Sequence, residues 1–366
     1  MNQRPKTGGE GPPEPPAEGR KEANHRGSKS VIVRVLALVV TGVALYVVLP
    51  SLTAVFGAWP RLAQLSAVWL VAALLAETAS FACNFGIQRI VLRTRGWFAV
   101  VAAGLTGNLV TDVLPGGDAA GAAVQFRMLK RAGINPDAAV GGLTASSLLG
   151  VGGLLMLPIL TLPAVLGGSD VNHALVNTAL IGVAGFVVYI GLGILLLDTD
   201  RPLRFVGRGA QWIWNKVRRH HAPLTGLDGR LLTQRDQIRG ALGREWKQVL
   251  LLVVGRLGFD FLCLLAALRA TGSEPHPWLV LLAYSAAGVI ALIPATPGGL
   301  GIVEASLSGL LVLAGVSGRS AVLATLAYRL AEYWLPMVAG LVAYSLYRRR
   351  YGSVRFSEPQ TAPPAQ

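Results

Sequence analysis

Asn108-Leu-Val-Thr111-Asp112-Val-Leu-Pro115-Gly116-Gly117-Asp118 breaks one apolar run in the middle, and Pro294-Ala-Thr-Pro297-Gly298-Gly299-Leu-Gly301-Ile-Val-Glu304 breaks another. The Pro-Gly-Gly at 115 returns 182 residues later at 297, Ala132-Gly133 returns as Ala314-Gly315 and Ala139-Val140 as Ala321-Val322, all at that same offset. Upstream, Phe81, Cys83 and Arg89 match Phe261, Cys263 and Arg269 at an offset of 180. The pattern reads as a duplicated unit of two spans, a hairpin and a third span. Three crossings per unit is an odd number, so the second copy enters the bilayer from the opposite side, as in inverted-repeat transporters.

Irregular backbone at membrane depth is tolerated only against protein or a water-filled cavity. Proline withholds an N–H, and glycine permits the tight turn and a close backbone approach. The two segments, 97–129 and 278–313, therefore read as re-entrant helical hairpins with Pro-Gly-Gly tips. A half-helix starts after each tip, at about Asp118 and Gly301, with free N–H groups and the positive dipole end aimed into the protein, a setting suited to an anion such as a lipid phosphate. The structural alternative is a packing kink at each tip.

Working outward, six full spans are expected over 31–55, 67–91, 136–166, 171–197, 249–268 and 321–347, each near or beyond the ~20 residues a bilayer requires. Counting the hairpins as spans gives eight helices. Arg89, Arg93 and Arg95 precede the first hairpin, and Arg127, Lys130 and Arg131 close it. The stretch 200–244 carries nine arginines and lysines between Arg201 and Arg239, and Arg348, Arg349 and Arg350 close the last span. Basic segments stay cytoplasmic. The expected organisation is a disordered cytoplasmic tail (1–30), repeat 1 (31–166), repeat 2 (171–347) with a cytoplasmic linker at 199–246, and a second disordered tail (348–366). The expected location is the cell membrane, multi-pass, with both termini cytoplasmic. The linker is expected to form one or two surface helices, with Trp212 and Trp214 at the interface.

Composition agrees. Charged residues make up 14% of 366 positions and mean hydropathy is +0.52, whereas soluble domains carry about 25% charged residues. The net charge of +14 lies in tails and linker rather than in a stripe with interleaved aromatics, so no nucleic-acid partner is expected. Cys83 and Cys263 fall inside spans and read as small core residues. No G-x-S-x-G, H-E-x-x-H or Walker sequence occurs, so the chain reads as a non-enzyme that needs no cofactor or metal.

Ionisable groups inside spans are functional candidates. Arg256 and Asp260 lie four apart and Arg329 and Glu332 three apart, spacings that permit intrahelical ion pairs. Each pair reads equally as structural or substrate-binding. Glu77 has no local basic partner; we expect it to pair with Arg256 or Arg329 from the other repeat, the alternative being a proton-coupling carboxylate. Asp118 and Glu304 open the half-helices, where acids complement the dipole, contact a cationic headgroup or carry a coupled proton. The candidate substrate-binding set is Asn108, Thr111, Asp112, Pro115, Gly116, Gly117, Asp118, Pro297, Gly298, Gly299, Gly301 and Glu304.

The segment 108–143, with its Leu-Pro-Gly-Gly-Asp tip, followed by Pro294-Ala-Thr-Pro-Gly-Gly-Leu-Gly-Ile-Val-Glu304, resembles the flippase-like transmembrane region of lysylphosphatidylglycerol synthases, in its stand-alone form. The resemblance covers 31–347. It implies translocation of a phospholipid or isoprenoid-linked lipid between leaflets, through a cavity between the repeats, with anionic membrane lipids as partners. Where relatives carry a basic residue one turn after the first acidic position, this chain has Gly121. Only a short Pro-rich stretch follows the last span, so no synthase activity is expected. The competing readings are a secondary transporter of a small soluble anion and an accessory subunit that positions a membrane enzyme.

Overall fold

The computed structural model describes residues 60, 64–114, 117–166, 173–217, 227–292 and 296–352. The span expected over 31–55, the tip residues Pro115 and Gly116, and the tails over 1–30 and 353–366 lie outside the described residues. Everything described is helix, turn or loop. In order come α1 (Ala67–Val91), α2 (Trp97–Val113), α3 (Gly117–Arg131), α4 (Pro136–Leu166), α5 (His173–Asp198), α6 (Asp200–Val217), α7 (Leu227–Ala270) and α8 (Pro277–Ala291). A 3-10 turn (Pro297–Gly299), α9 (Ile302–Leu313), α10 (Gly318–Arg329), a π turn (Leu330–Trp334) and α11 (Leu335–Tyr351) complete the chain.

Among the described residues, three helical stretches are long and apolar enough to cross a membrane: Ala67–Val91, Pro136–Thr161 and Glu245–Ala270. Many large apolar side chains face outward along them and along α5, including Val68, Leu75, Val188 and Leu251. Exposure on that scale suits lipid as the surrounding medium rather than water. The final expected span is not one regular helix: α10 ends at Arg329, the π turn follows, and α11 continues to Tyr351. Arg348, Arg349 and Arg350, expected in the tail, form its last turn.

Two cores organise these helices. In one, α1 packs against α7, and α8, α9 and α10 complete the contact through Cys263, Leu264, Val280, Leu307, Leu311 and Ala324. In the other, α2 and α3 pack together with α11 through Val100, Val124, Met128 and Tyr347. Helices have no hydrophobic drive to associate in lipid, so small residues and polar contacts hold them. Gly340 of α11 lies against the Leu105 carbonyl, where an added Cβ would sit 2.5 Å from that oxygen. The buried Tyr347 hydroxyl donates to the Met128 carbonyl of α3 at 2.6 Å.

Both interrupted segments are broken at their motifs: α2 and α3 flank the first Pro-Gly-Gly, and α8 and α9 flank the second and pack against each other. The turns that follow α3 and α9 share a backbone pattern. Gly133 and Gly315 hold φ of 89° and 90°. Ile134 N–H donates to the Leu129 carbonyl at 3.1 Å, and Val316 N–H to Leu311 at 3.0 Å. These are the long-range bonds of a Schellman stop, for which left-handed glycine is the natural residue. The next helices start alike: the Asn135 side chain accepts the Ala138 N–H at 3.4 Å, and the Ser317 side chain accepts the Ser320 N–H at 3.3 Å.

The linker forms α6 and the first part of α7. Glu245, with φ −118° and ψ 20°, kinks α7 where the amphipathic portion meets the apolar one. Arg235 of α7 bonds Asp200 of α6 at 2.6 Å, and Arg204 reaches the same carboxylate at 3.3 Å. The side chain of Trp212 is exposed.

Candidate functional site

Arg329 is the centre of the buried polar cluster. It ends α10 with only 4% of its surface exposed. Its Nε donates to Glu304 Oε1 at 2.9 Å, Nη1 to Glu332 Oε2 at 2.7 Å and Nη2 to the Gly298 carbonyl at 2.8 Å. The guanidinium plane also covers the Tyr333 ring at 4.5 Å. The planar fork of arginine permits this division among three acceptors, which lysine has no geometry to match. The expected pair of Arg329 with Glu332 is present, extended by Glu304 from α9.

The second tip is built from three left-handed glycines, Gly298 (φ 57°), Gly299 (φ 68°) and Gly301 (φ 82°). At Gly298 a second requirement is added, since a Cβ would lie 2.4 Å from the Tyr333 ring. Gly299 N–H donates back to the Thr296 carbonyl at 3.1 Å. Glu304 Oε2 accepts the Gly301 N–H at 2.6 Å, so the half-helix caps itself with its own carboxylate while the other oxygen of that group holds Arg329.

At the first tip, Gly117 opens α3, with Asp118 exposed in its first turn. An added Cβ on Gly117 would stand 2.1 Å from the Thr111 carbonyl oxygen, and one on Gly121 would stand 2.1 Å from Thr111 Oγ1. No larger residue fits at 121 while Thr111 keeps this position. Asn108, Thr111 and Asp112 are half-buried along the end of α2. The Tyr333 hydroxyl donates to the Asp112 carbonyl at 3.1 Å. Tyr333 and Arg329, four residues apart, thus connect the first interrupted segment to the tip of the second.

Deeper among α1, α7, α8 and α10 lies a second set of polar groups. The two carboxylate oxygens of Asp260 accept the hydroxyls of Tyr284 and Tyr328, the latter at 2.9 Å. Glu77 lies beside Asp260 and Cys263 and faces Glu332. Two expectations are corrected here. Glu77 pairs with neither Arg256 nor Arg329, because Arg329 is already shared between Glu304 and Glu332. Asp260 is satisfied by tyrosines rather than by Arg256, which reaches toward Gly150 of α4.

Tyrosines are the functional candidates that the sequence reading passed over. Tyr284, Tyr328 and Tyr333 sit in apolar stretches where a buried hydroxyl needs a partner, and that requirement is the signal that marks them. Cys263, read as a core residue, is fully buried but borders Glu77.

A cleft of about 980 Å³ opens between the end of α1 and the kink of α7. Arg89, Arg93, Arg95, Trp97, Glu245 and Gln248 are among its lining residues. Arg89 covers the Trp97 ring at 4.7 Å. Trp97 and Trp246 are exposed at this level, where aromatic side chains mark a membrane interface.

Apolar, outward-facing helices around a buried ion-pair cluster define an α-helical membrane protein. The chain belongs to the family of the lysylphosphatidylglycerol synthase TM region, whose model matches residues 33–340. It is also similar to a UPF0104 membrane protein of Methanothermobacter thermautotrophicus, with 30% identity over 100 residues, 27% of this chain. The chain covers 28% of that relative's length.

Proposed function

We propose that this protein moves a lipid, a phospholipid or an isoprenoid-linked one, between the leaflets of the cell membrane. Its headgroup passes the half-helix N-termini at the two Pro-Gly-Gly tips. The observation that carries this reading is the cross-connection made by Arg329 and Tyr333, which ties the Gly298 carbonyl to the end of α10 and the Asp112 carbonyl to the π turn that follows it. Broken helices gathered at a shared polar centre are how inverted-repeat transporters form a substrate path. Support for two such repeats, in six spans and two re-entrant hairpins, comes from the matching stops and caps after α3 and α9, which keep the 182-residue offset bond for bond. With three crossings per repeat, both termini are cytoplasmic.

Charge refines the substrate. Around the tips stand Asp112, Asp118, Glu304 and Glu332, with Arg329 as the guanidinium among them. Glu304 and Glu332 are bonded to Arg329, which leaves Asp112 and Asp118 to suit a headgroup that carries an amine beside its phosphate. The phosphate itself is matched by Arg89, Arg93 and Arg95 in the cleft at the membrane interface, at headgroup depth. The protein acts by transport alone, without catalysis of its own.

Leaflet exchange in proteoliposomes tests this, using headgroup-labelled lipids with and without an amine, and a Gly298→Trp variant. We expect protein-dependent exchange, faster for amine-bearing lipids, that is lost in the variant because an indole has no room against Tyr333. Folded protein that exchanges no lipid but takes up a small soluble anion would replace this reading with a secondary transporter. Activity that survives Gly298→Trp but depends on residues 200–244 would point to an accessory role instead.

A further inference from the structure

Glu77 projects from the middle of α1 with 4% of its surface exposed, and its Oε2 has no hydrogen-bond partner. A buried carboxylate without a partner is among the most costly groups a protein can hold, and in lipid no water is at hand to compensate. Of the groups around it, only the Cys263 thiol, a weak donor, offers Glu77 a hydrogen bond. From α7 come Asp260, Cys263 and, one turn before Asp260, Arg256; from α8 comes Tyr284; from α10 and the π turn come Tyr328 and Glu332. Asp112 of α2 lies near Glu332 and Arg329. Arg329 is bonded to Glu304 and Glu332, and Asp260 takes two tyrosine hydroxyls. Glu77 is left beside a second carboxylate with no cation bonded to it.

Two adjoining ionised carboxyls in an apolar setting repel, and one proton removes the conflict. A carboxylate has about four lone-pair positions. Tyr284 and Tyr328 fill two of those on Asp260, which leaves room for a third donor, the O–H of a protonated Glu77. Because the tyrosine hydroxyls already donate to Asp260, a proton shared by the two carboxyls sits on Glu77 and points at Asp260.

We propose that Glu77 and Asp260 bind one proton between them, and that this pair is the proton site through which the lipid movement proposed above is coupled. Loss of the proton places a second negative charge against Glu332. Glu332 shares Arg329 with Glu304, and Arg329 holds the Gly298 carbonyl. The state of the pair is therefore felt at the second tip, through one side chain.

Infrared difference spectroscopy of the full chain in lipid nanodiscs reads the proton directly and needs no transport. At neutral pH we expect a carbonyl band from a protonated carboxylic acid that shifts in D2O. Glu77→Gln should abolish it. Asp260→Asn should move it, since it exchanges the acceptor of that O–H. Gel filtration and thermal melting confirm that each variant is folded. A folded wild-type protein without the band, or a band unchanged in both variants, overturns the proposal. A band seen only when sodium is withdrawn overturns it in favour of a sodium site. In proteoliposomes, Glu77→Gln should keep leaflet exchange but lose its response to an imposed pH gradient; exchange in the wild type that ignores the gradient overturns the coupling. The band without any lipid exchange leaves the proton site standing and removes only the transport reading.

Discussion

Arg329 shows what a single side chain contributes when its neighbours are arranged for it. Its three donors answer Glu304, Glu332 and the Gly298 carbonyl. Removing the cation strands the partly buried Glu304 and Glu332 carboxylates, a change that costs less than the loss of one partner from a fully buried pair, about 3–5 kcal/mol. Arg329→Ala should lower the thermal melting temperature in detergent well below that of Glu332→Gln, which leaves the Glu304 bond in place; equal melting of the two variants would count against this assignment. At the same scale, Arg93 holds φ 51° at the end of α1, whereas Gly272 holds φ 76° at the end of α7. A non-glycine residue there costs roughly 1–2 kcal/mol. Arg93→Gly relieves that backbone strain but removes the side chain, so it should weaken binding of phosphate-bearing lipid at the cleft, read by lipid titration in nanodiscs. The glycines and the Arg329–Glu332 spacing were legible in the sequence, since each follows from a local rule. The partners of Glu77 were not, because they come from α7, which lies nearly two hundred residues away along the chain.

Helices were legible wherever one rule governed a whole stretch. Ala67–Val91 and Pro136–Leu166 read from apolar length alone, and both breaks read from Pro-Gly-Gly. The π turn was not legible: Leu330–Trp334 differs from ordinary helix only through what Tyr333 and Arg329 reach, and that is tertiary. The linker shows the opposite case, a polar contact between two charged helices. Hydrogen bonding from Arg235 holds the Asp200 carboxyl below its ordinary value of 3.8. A depressed carboxyl contributes stability that is present above its ordinary value and lost as pH falls through the lower, folded one. The contact between α6 and α7 should accordingly persist at neutral pH and loosen in acid below about 3.8, read as faster hydrogen exchange in α6. Asp200→Asn should show the faster exchange at every pH. Exchange in α6 that ignores both acid and the substitution would show that the contact contributes nothing.

For the whole molecule, the membrane class was legible from hydropathy, and the family from two short motifs. The centre was harder to read. Sequence spacing suggested two local ion pairs; the folded chain keeps Arg329–Glu332, extends it to Glu304 of another helix, and gives Asp260 tyrosine partners instead of Arg256. That difference arises because lipid rewards satisfying polar groups wherever a partner comes within reach, regardless of which helix carries it. The π turn has a further consequence of this kind. Such a turn holds one residue more than an α-helix allots to the same path, so α11 is set out of phase with α10 by about 100°, the rotation of one residue at 3.6 per turn. Deleting a single residue such as Ala331 would restore a continuous helix and swing Tyr333 away from Gly298, while Arg329, on the near side, stayed where it is. Clockwork offers a comparison: one extra tooth sets the phase between two wheels, and here it sets the phase between the side chain that grips one tip and the side chain that touches the other.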